Sequence, residues 1–206
     1  MLKCLYAKMN TMISAQEVKN LRDRAGVSMM QCKKALEESS GDVEKAIKIL
    51  QKSGSKVADK KCGRGTVEGY IGSYIHSNGK VGVLVEVDCE TDFVARNEEF
   101  KELAHDLAMH IAASNPKYAS CDEINPEEIK TKKEELLEET RKENKPENIL
   151  EKIAEGKAKK HFDEICLLTQ VFVKNPELTV GQLITEKIAK LGENIKVKRF
   201  IRFEVE

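Results

Sequence analysis

The sequence predicts an α+β protein, in which a run of three short helices is followed by strands and helices that do not alternate strictly. Three observations predict it. Two capping boxes stand close together near the start, at Ser14-Ala15-Gln16-Glu17 and Ser28-Met29-Met30-Gln31. The valines at 81, 83, 85 and 87 recur with period two, the mark of a strand with one buried face. From residue 65 onward the order reads β-β-α-α-α-β-α-β, which lacks the regular strand-helix alternation of a doubly wound sheet.

The elements follow in order. In the first capping box Ile13 and Val18 form a hydrophobic staple, Val18, Leu21 and Ala25 keep helical spacing, and Gly26 stops the helix. The second box has Val27 and Cys32 as its staple, and Met29, Cys32 and Leu36 are expected on one core face. Met30 lies off that stripe and is expected to be exposed. Gly41 and Asp42 separate this helix from a third carrying Val43, Ala46, Ile47 and Leu50, which Ser53-Gly54 is expected to close. Three helices in about forty residues make a marginal core, and a module of that size binds more readily than it catalyses. A polar, lysine-rich linker is expected next.

Val67, Gly69, Ile71, Ser73 and Ile75 alternate weakly as a first strand. Asn78-Gly79 then signals a hairpin into the valine strand, with positive φ expected at both positions. Asn97 caps a helix with Phe100, Leu103, Ala104, Leu107 and Ile111 on one side, and Asn115-Pro116 ends it. Pro126 opens a charged helix with Ile129, Leu136 and Leu137; after Pro146, Ile149, Leu150 and Ile153 resume, so an antiparallel helical pair is expected. A strand-like run lies within 165–173. Thr179 caps a last helix with Leu183, Ile184, Ile188 and Leu191, Gly192 ends it, and residues 195–205 alternate as a closing strand.

Composition narrows the function. The chain has 206 residues; basic and acidic side chains number 35 each, so the formal net charge is zero. A protein held by nucleic-acid phosphates carries a basic excess, so protein or small-molecule partners are expected, and no nucleic acid. No apolar run approaches a membrane span, so no membrane partner is expected either. The six cysteines, at 4, 32, 62, 89, 121 and 166, form no C-x-x-C and no metal-ligand spacing, and read as reduced thiols of a cytosolic protein. Residues 1–12 read as an extension without the apolar centre of a signal peptide, with Met9 and Met12 as candidate natural starts.

Candidate chemistry is sparse. Asn144-Lys145-Pro146-Glu147 imitates the guanine-reading N-K-x-D but has Glu for Asp, no preceding strand and no accompanying phosphate loop; chance is the better reading. Gly63-Arg64-Gly65-Thr66 reads as a bend before the first strand. His105 and His110 are five apart on a helix, too far around it to share a metal, and His76 and His161 have no partner in sequence. A Cys-His pair stays open on residues alone, as does a core or a contact role for Met29-Met30. Thr91-Asp92-Phe93-Val94 follows the valine strand directly. It reads either as a helix cap with a core phenylalanine, or as a carboxylate beside an aromatic on a stiff tip that can enter a partner.

The run Met29-Met30-Gln31-Cys32-Lys33-Lys34-Ala35-Leu36-Glu37 resembles the first signature of the elongation factor Ts family. The run Glu86-Val87-Asp88-Cys89-Glu90-Thr91-Asp92-Phe93-Val94-Ala95-Arg96-Asn97 resembles the second. Gly72-Ser73-Tyr74-Ile75-His76, Met109-His110-Ile111-Ala112-Ala113-Ser114-Asn115-Pro116, Gly156-Lys157 and Phe200-Ile201-Arg202-Phe203-Glu204-Val205 match as well, in the family's order. The resemblance implies a ubiquitin-associated (UBA)-like three-helix module at 13–53, a linker at 54–64 and a core dimerisation domain at 65–206, behind the extension at 1–12. It is similar to the family's short form, in which two chains together supply a paired core, and so implies a homodimer. It implies a guanine nucleotide exchange factor for elongation factor Tu, with no cofactor and no nucleotide of its own. Thr91, Asp92, Phe93 and Val94 would disturb the GTPase's Mg²⁺ site, while Met29, Met30, Lys33 and His76 would make other contacts. Bacterial cytoplasm is the implied location, with organelle import left open. A thiol enzyme using Cys89 and a histidine, and a ubiquitin-like adaptor built on the first module, are the competing classes.

Overall fold

The computed structural model describes residues 13–141 and 147–205. The extension read at 1–12, the Asn144-Lys145-Pro146 run and the side chain of Ile149 lie outside these residues. The chain forms two compact units, one of the residues up to Gly63 with Thr185–Gly192, the other of Arg64–Ile184 with Glu193 onward.

In the first unit, α1 (Ala15–Ala25), α2 (Met29–Glu38) and α3 (Val43–Lys61) form where the caps stand. The Ser14 and Ser28 hydroxyls accept from the backbone N–H of Glu17 and Gln31, and those side chains accept from the serine N–H in return. Gly26 ends α1 at φ 66°, where the missing Cβ removes the left-handed penalty. Val18, Leu21, Cys32, Ala35, Leu36 and Ala46 are the core, flanked by Ile13, Val27, Val43, Ile47 and Leu50. Two expectations are corrected here. Met29 is not core: it opens the first turn of α2 and is 40% exposed. Nor does α3 stop at Ser53-Gly54; it runs through most of the expected linker to Lys61. Gly54 is a packing position, since a Cβ there would touch Ala189, and Lys61 Nζ donates to the Gly192 carbonyl. These contacts offset the roughly 1 kcal/mol that glycine costs inside a helix.

The second unit is built on an antiparallel sheet in the order β1 (Glu68–Ile75), β2 (Val81–Cys89), β5 (Lys196–Glu204). The β1–β2 turn differs from expectation at one position: Gly79 has φ 67°, but Asn78 does not enter the positive-φ region. Asn78 acts through its side chain, whose Oδ1 accepts from the Lys80 N–H at 2.9 Å, while Gly79 N–H closes the turn onto His76 O. Val83, Val85 and Val87 face α5 (Glu98–Ser114), which buries Phe100, Leu103, Ala104, Leu107, Ala108 and Ile111. Gly72 of β1, opposite Val85, lies so close to α5 that an added Cβ would fall 2.6 Å from the Ala104 oxygen. The alternation Ile71, Ile75 of β1 points to the other face, where Leu84, Ile201 and Phe203 join it, all exposed.

Between β2 and α5 lies a single short helix, α4 (Asp92–Ala95). Beyond α5, α6 (Pro126–Arg141) and α7 (Glu147–Ile165) pack along one another, with Thr140, Leu150, Ala154 and Ala158 buried. The strand expected within 165–173 shrinks to β3 (Val171–Phe172), because α7 continues to Ile165 and Leu167–Thr169 forms a 3-10 turn. Its partner β4 (Asn175–Thr179) had no hydrophobic alternation to announce it. α8 (Val180–Leu191) starts on a capping box in which Thr179 Oγ1 accepts from the Gln182 N–H, and Gly192 ends it at φ 79°. The cysteines are not all reduced: Cys121 and Cys166 form a disulfide across Cα atoms 5.5 Å apart, in which Cys32, Cys62 and Cys89 take no part. A sequence separation of 45 hid that pairing from any spacing rule.

Candidate functional site

The site is built where β2 leaves the sheet. Cys89, the last residue of β2, is buried, and its Sγ donates to the Thr91 carbonyl at 3.2 Å. Burial, and then the nearby Glu193 carboxylate, push the Cys89 thiol up to about 11, so it stays protonated and serves as a donor. Thr91 is the N-cap of α4, extended at φ −132°, ψ 156°, yet its hydroxyl does not cap the helix. Instead the Thr91 N–H donates to Glu193 Oε2 at 3.0 Å and its hydroxyl to Glu193 Oε1 at 2.7 Å. The next residue, Asn194, donates its N–H to Glu90 Oε1 at 2.7 Å and its Nδ2 to the Arg64 carbonyl at 2.9 Å.

On this base α4 divides its residues. Val94 and Ala95 are buried and hold the turn down, whereas Phe93 is 87% exposed. Asp92 lies on the surface beside it, paired with Arg96 at 3.1 Å. Of the four residues read from Thr91-Asp92-Phe93-Val94, two are presented and two are anchors. The core-phenylalanine reading fails on exposure alone. Val94 has its side chain inward, so a direct contact would need the turn to open.

The other candidates are placed as follows. Met30 is 67% exposed on α2, and Lys33 on the same helix forms an exposed pair with Glu37 at 3.8 Å. His76 follows the end of β1, and its Nδ1 lies 3.1 Å from the Tyr74 hydroxyl. Tyr74 in turn stands edge-on to His105, whose Nδ1 is 3.2 Å from the Ser73 carbonyl oxygen. His110 is wholly buried: Nδ1 accepts from the Val173 N–H at 3.3 Å and Nε2 donates to Gln170 Oε1 at 2.9 Å. Glu193 and Asn194 carry no mark of this role in the sequence. A capping glycine followed by two polar residues reads as an ordinary turn, and no local signal links it to Thr91.

An exposed aromatic on a turn anchored at both ends, and a methionine presented from a capped helix, define a class of protein whose working groups face outward on rigid supports. The sequence model of the family described as Elongation factor TS matches residues 2–206. The chain is 53% identical over 194 residues to elongation factor Ts of Carboxydothermus hydrogenoformans, covering 94% of this chain and 89% of that protein. It is 55% identical over 193 residues to that of Koribacter versatilis, covering 94% and 88%. It is 54% identical over 194 residues to that of Thermosipho melanesiensis, covering 94% and 99%. The chain belongs to the elongation factor Ts family. Among the described residues no helix is long and apolar enough to cross a membrane.

Proposed function

We propose that this chain is a nucleotide exchange factor without bond chemistry of its own, which binds elongation factor Tu carrying GDP and promotes replacement of the GDP by GTP. The observation that carries the reading is Phe93, 87% exposed on α4 while Val94 and Ala95 beside it are buried. An aromatic held this way enters a partner with little ordering cost. Asp92 arrives with it, held by Arg96 in the free protein. In the complex the carboxylate acts on the groups around the GTPase's Mg²⁺. Since that ion is a large part of what holds a diphosphate, disturbing it frees GDP. Met29, Met30 and Lys33 on α2, and His76 at the sheet rim, add contacts that do not touch the metal. Linkage then requires that nucleotide weaken the factor's binding as much as the factor weakens nucleotide's.

The chain works in this reading as a homodimer in bacterial cytoplasm. The exposed sheet face of Ile71, Ile75, Leu84, Ile201 and Phe203 is the surface a second copy would cover. A thiol enzyme centred on Cys89 fits less well, because burial holds that sulfur in its protonated, poorly nucleophilic form. The test is release of fluorescent GDP from elongation factor Tu by stopped flow, with and without this protein. Acceleration is expected, and a release rate unmoved by saturating amounts of the protein overturns the reading.

A further inference from the structure

We propose that Glu193 is a positioning residue for exchange: by accepting both hydrogen bonds of Thr91 it aims α4, and with it Phe93 and Asp92, at the partner. The inference rests on the exchange reading above.

α4 is one turn long. A helix that short has no stability of its own, since nucleation fixes several residues for a single hydrogen bond. Its orientation must come from what holds its ends. At its C-terminal side Val94 and Ala95 sink into the unit. At its N-terminal side the usual device would be the Thr91 hydroxyl accepting from the backbone of the first turn. That bond is missing. The hydroxyl turns outward from the helix and donates to Glu193 Oε1 at 2.7 Å, while the Thr91 N–H takes Oε2 at 3.0 Å. A single carboxylate thus holds both donors of the residue on which α4 begins, and a bidentate grip fixes direction as well as distance.

Glu193 is itself held firmly. Gly192 before it takes φ 79°, which turns the chain out of α8, and Asn194 after it is almost wholly buried, bonded to Glu90 Oε1 and the Arg64 carbonyl. Glu90 in turn is the residue before Thr91. The turn after α8 therefore grips the strand-to-helix connection at two successive residues. Cys89 adds a third hold from below through its bond to the Thr91 carbonyl. Cutting the Glu193 grip leaves the unit's core intact and releases the one end of α4 that no apolar side chain secures.

The test uses the full-length protein and GDP release from elongation factor Tu, recording the maximal release rate and the half-saturating concentration separately. Glu193→Ala and Thr91→Val should each lower the maximal rate about tenfold, since small misplacement of a working group costs rate steeply, with the half-saturating concentration within about twofold of the parent. Glu193→Gln and Thr91→Ser should restore most of the rate. The glutamine carbonyl can accept from the Thr91 N–H while its amide donates to the hydroxyl, and serine keeps the hydroxyl. Glu193→Ala with Thr91→Val should be no slower than Glu193→Ala alone, because removing the carboxylate already cuts both bonds. A merely stabilising contact would lower the unfolding temperature and leave the maximal rate of the folded protein unchanged, which overturns the proposal. So do single effects that multiply in the double variant. Should Glu193→Ala fail to fold, the Thr91→Val and Thr91→Ser pair decides alone. Phe93→Ala run alongside separates the two readings. If it abolishes acceleration while Glu193→Ala matches the parent, only the positioning role is lost. If it also matches the parent, the exchange reading falls and this inference with it.

Discussion

Phe93 is one of six phenylalanines in a chain whose others include the fully buried Phe100, yet it keeps almost all of its surface in water. Leaving an aromatic unburied forgoes about 2–3 kcal/mol of transfer free energy, so the folded monomer gains nothing from it. A partner does. Interface aromatics typically contribute about 2 kcal/mol or more. Phe93→Ala is therefore expected to slow GDP release strongly while leaving thermal unfolding within about 0.5 kcal/mol of the parent. Asp92→Ala should slow release with complex formation intact. Its effect should shrink when a chelator removes Mg²⁺, because the step it assists is then already done. Stopped-flow release with and without Mg²⁺ measures both. His110 poses a question of stability instead. Burial lowers its pKa, outweighing the Gln170 bond that raises it. The folded state therefore holds the imidazole neutral, with Nδ1 accepting from Val173. A depressed folded-state value means its contribution is full above the unfolded value near 6.5 and is lost as pH falls through the folded value. His110→Leu leaves the Val173 N–H unsatisfied. It should cost about 1–3 kcal/mol at neutral pH, a gap that narrows on acidification; a constant gap from pH 7.5 to 5 in thermal melts would exclude the assignment.

At the scale of elements, two places tie sequence to packing most tightly. Gly72 lets β1 and α5 approach, and the two nearest atoms an added Cβ would strike belong to the Ala104 backbone, which cannot swing away. Gly72→Ala is expected to destabilise by about 1–3 kcal/mol. Gly82→Ala, on β2 with nothing within 4 Å of its Cβ position, should be near neutral in the same denaturant titration. The second place is α2. Its buried side carries Cys32, Ala35 and Leu36, while Met30 and Lys33 stand in solvent. Met30→Ala with Lys33→Ala should weaken binding to elongation factor Tu about tenfold or more in a titration and leave the melting of the free protein almost unchanged. Unaltered affinity would move the contact face elsewhere on the module.

At the scale of the whole molecule, the sheet has one face under α5 and one that is bare among the described residues. On the bare face Leu84 pairs with Ile201, and Gly82, next to Ile75, pairs with Phe203. A contiguous apolar face of that kind is unusual on a monomer. Closing it against a second copy is expected to make a dimer at micromolar concentration. Leu84→Asp should halve the sedimenting mass without unfolding the chain, because Leu84 is already exposed in the single chain. A parent that sediments as a monomer would remove the dimer from the account.

Much of this was written locally. The serine caps, the glycine stops at 26 and 192, the valine alternation of β2 and the stripe of α5 follow from sterics and periodicity within a few residues, and the structure carries them as read. The family was legible too, since its signatures are contiguous runs. What the sequence could not settle depends on partners far along the chain. Ile71 and Ile75 alternate as a core face would, but α5 and Gly72 decide which side of β1 is covered. Gly54 looks like a stop until Ala189 packs on it. Phe93 could have been core, and only the burial of Val94 and Ala95 turned it outward. Cys121 met Cys166, and Glu193 met Thr91, across separations of 45 and 102 residues. A local rule describes what one stretch can do alone; which of its faces is buried, and which turn another segment grips, is set by free energies that exist only once the chain has closed on itself.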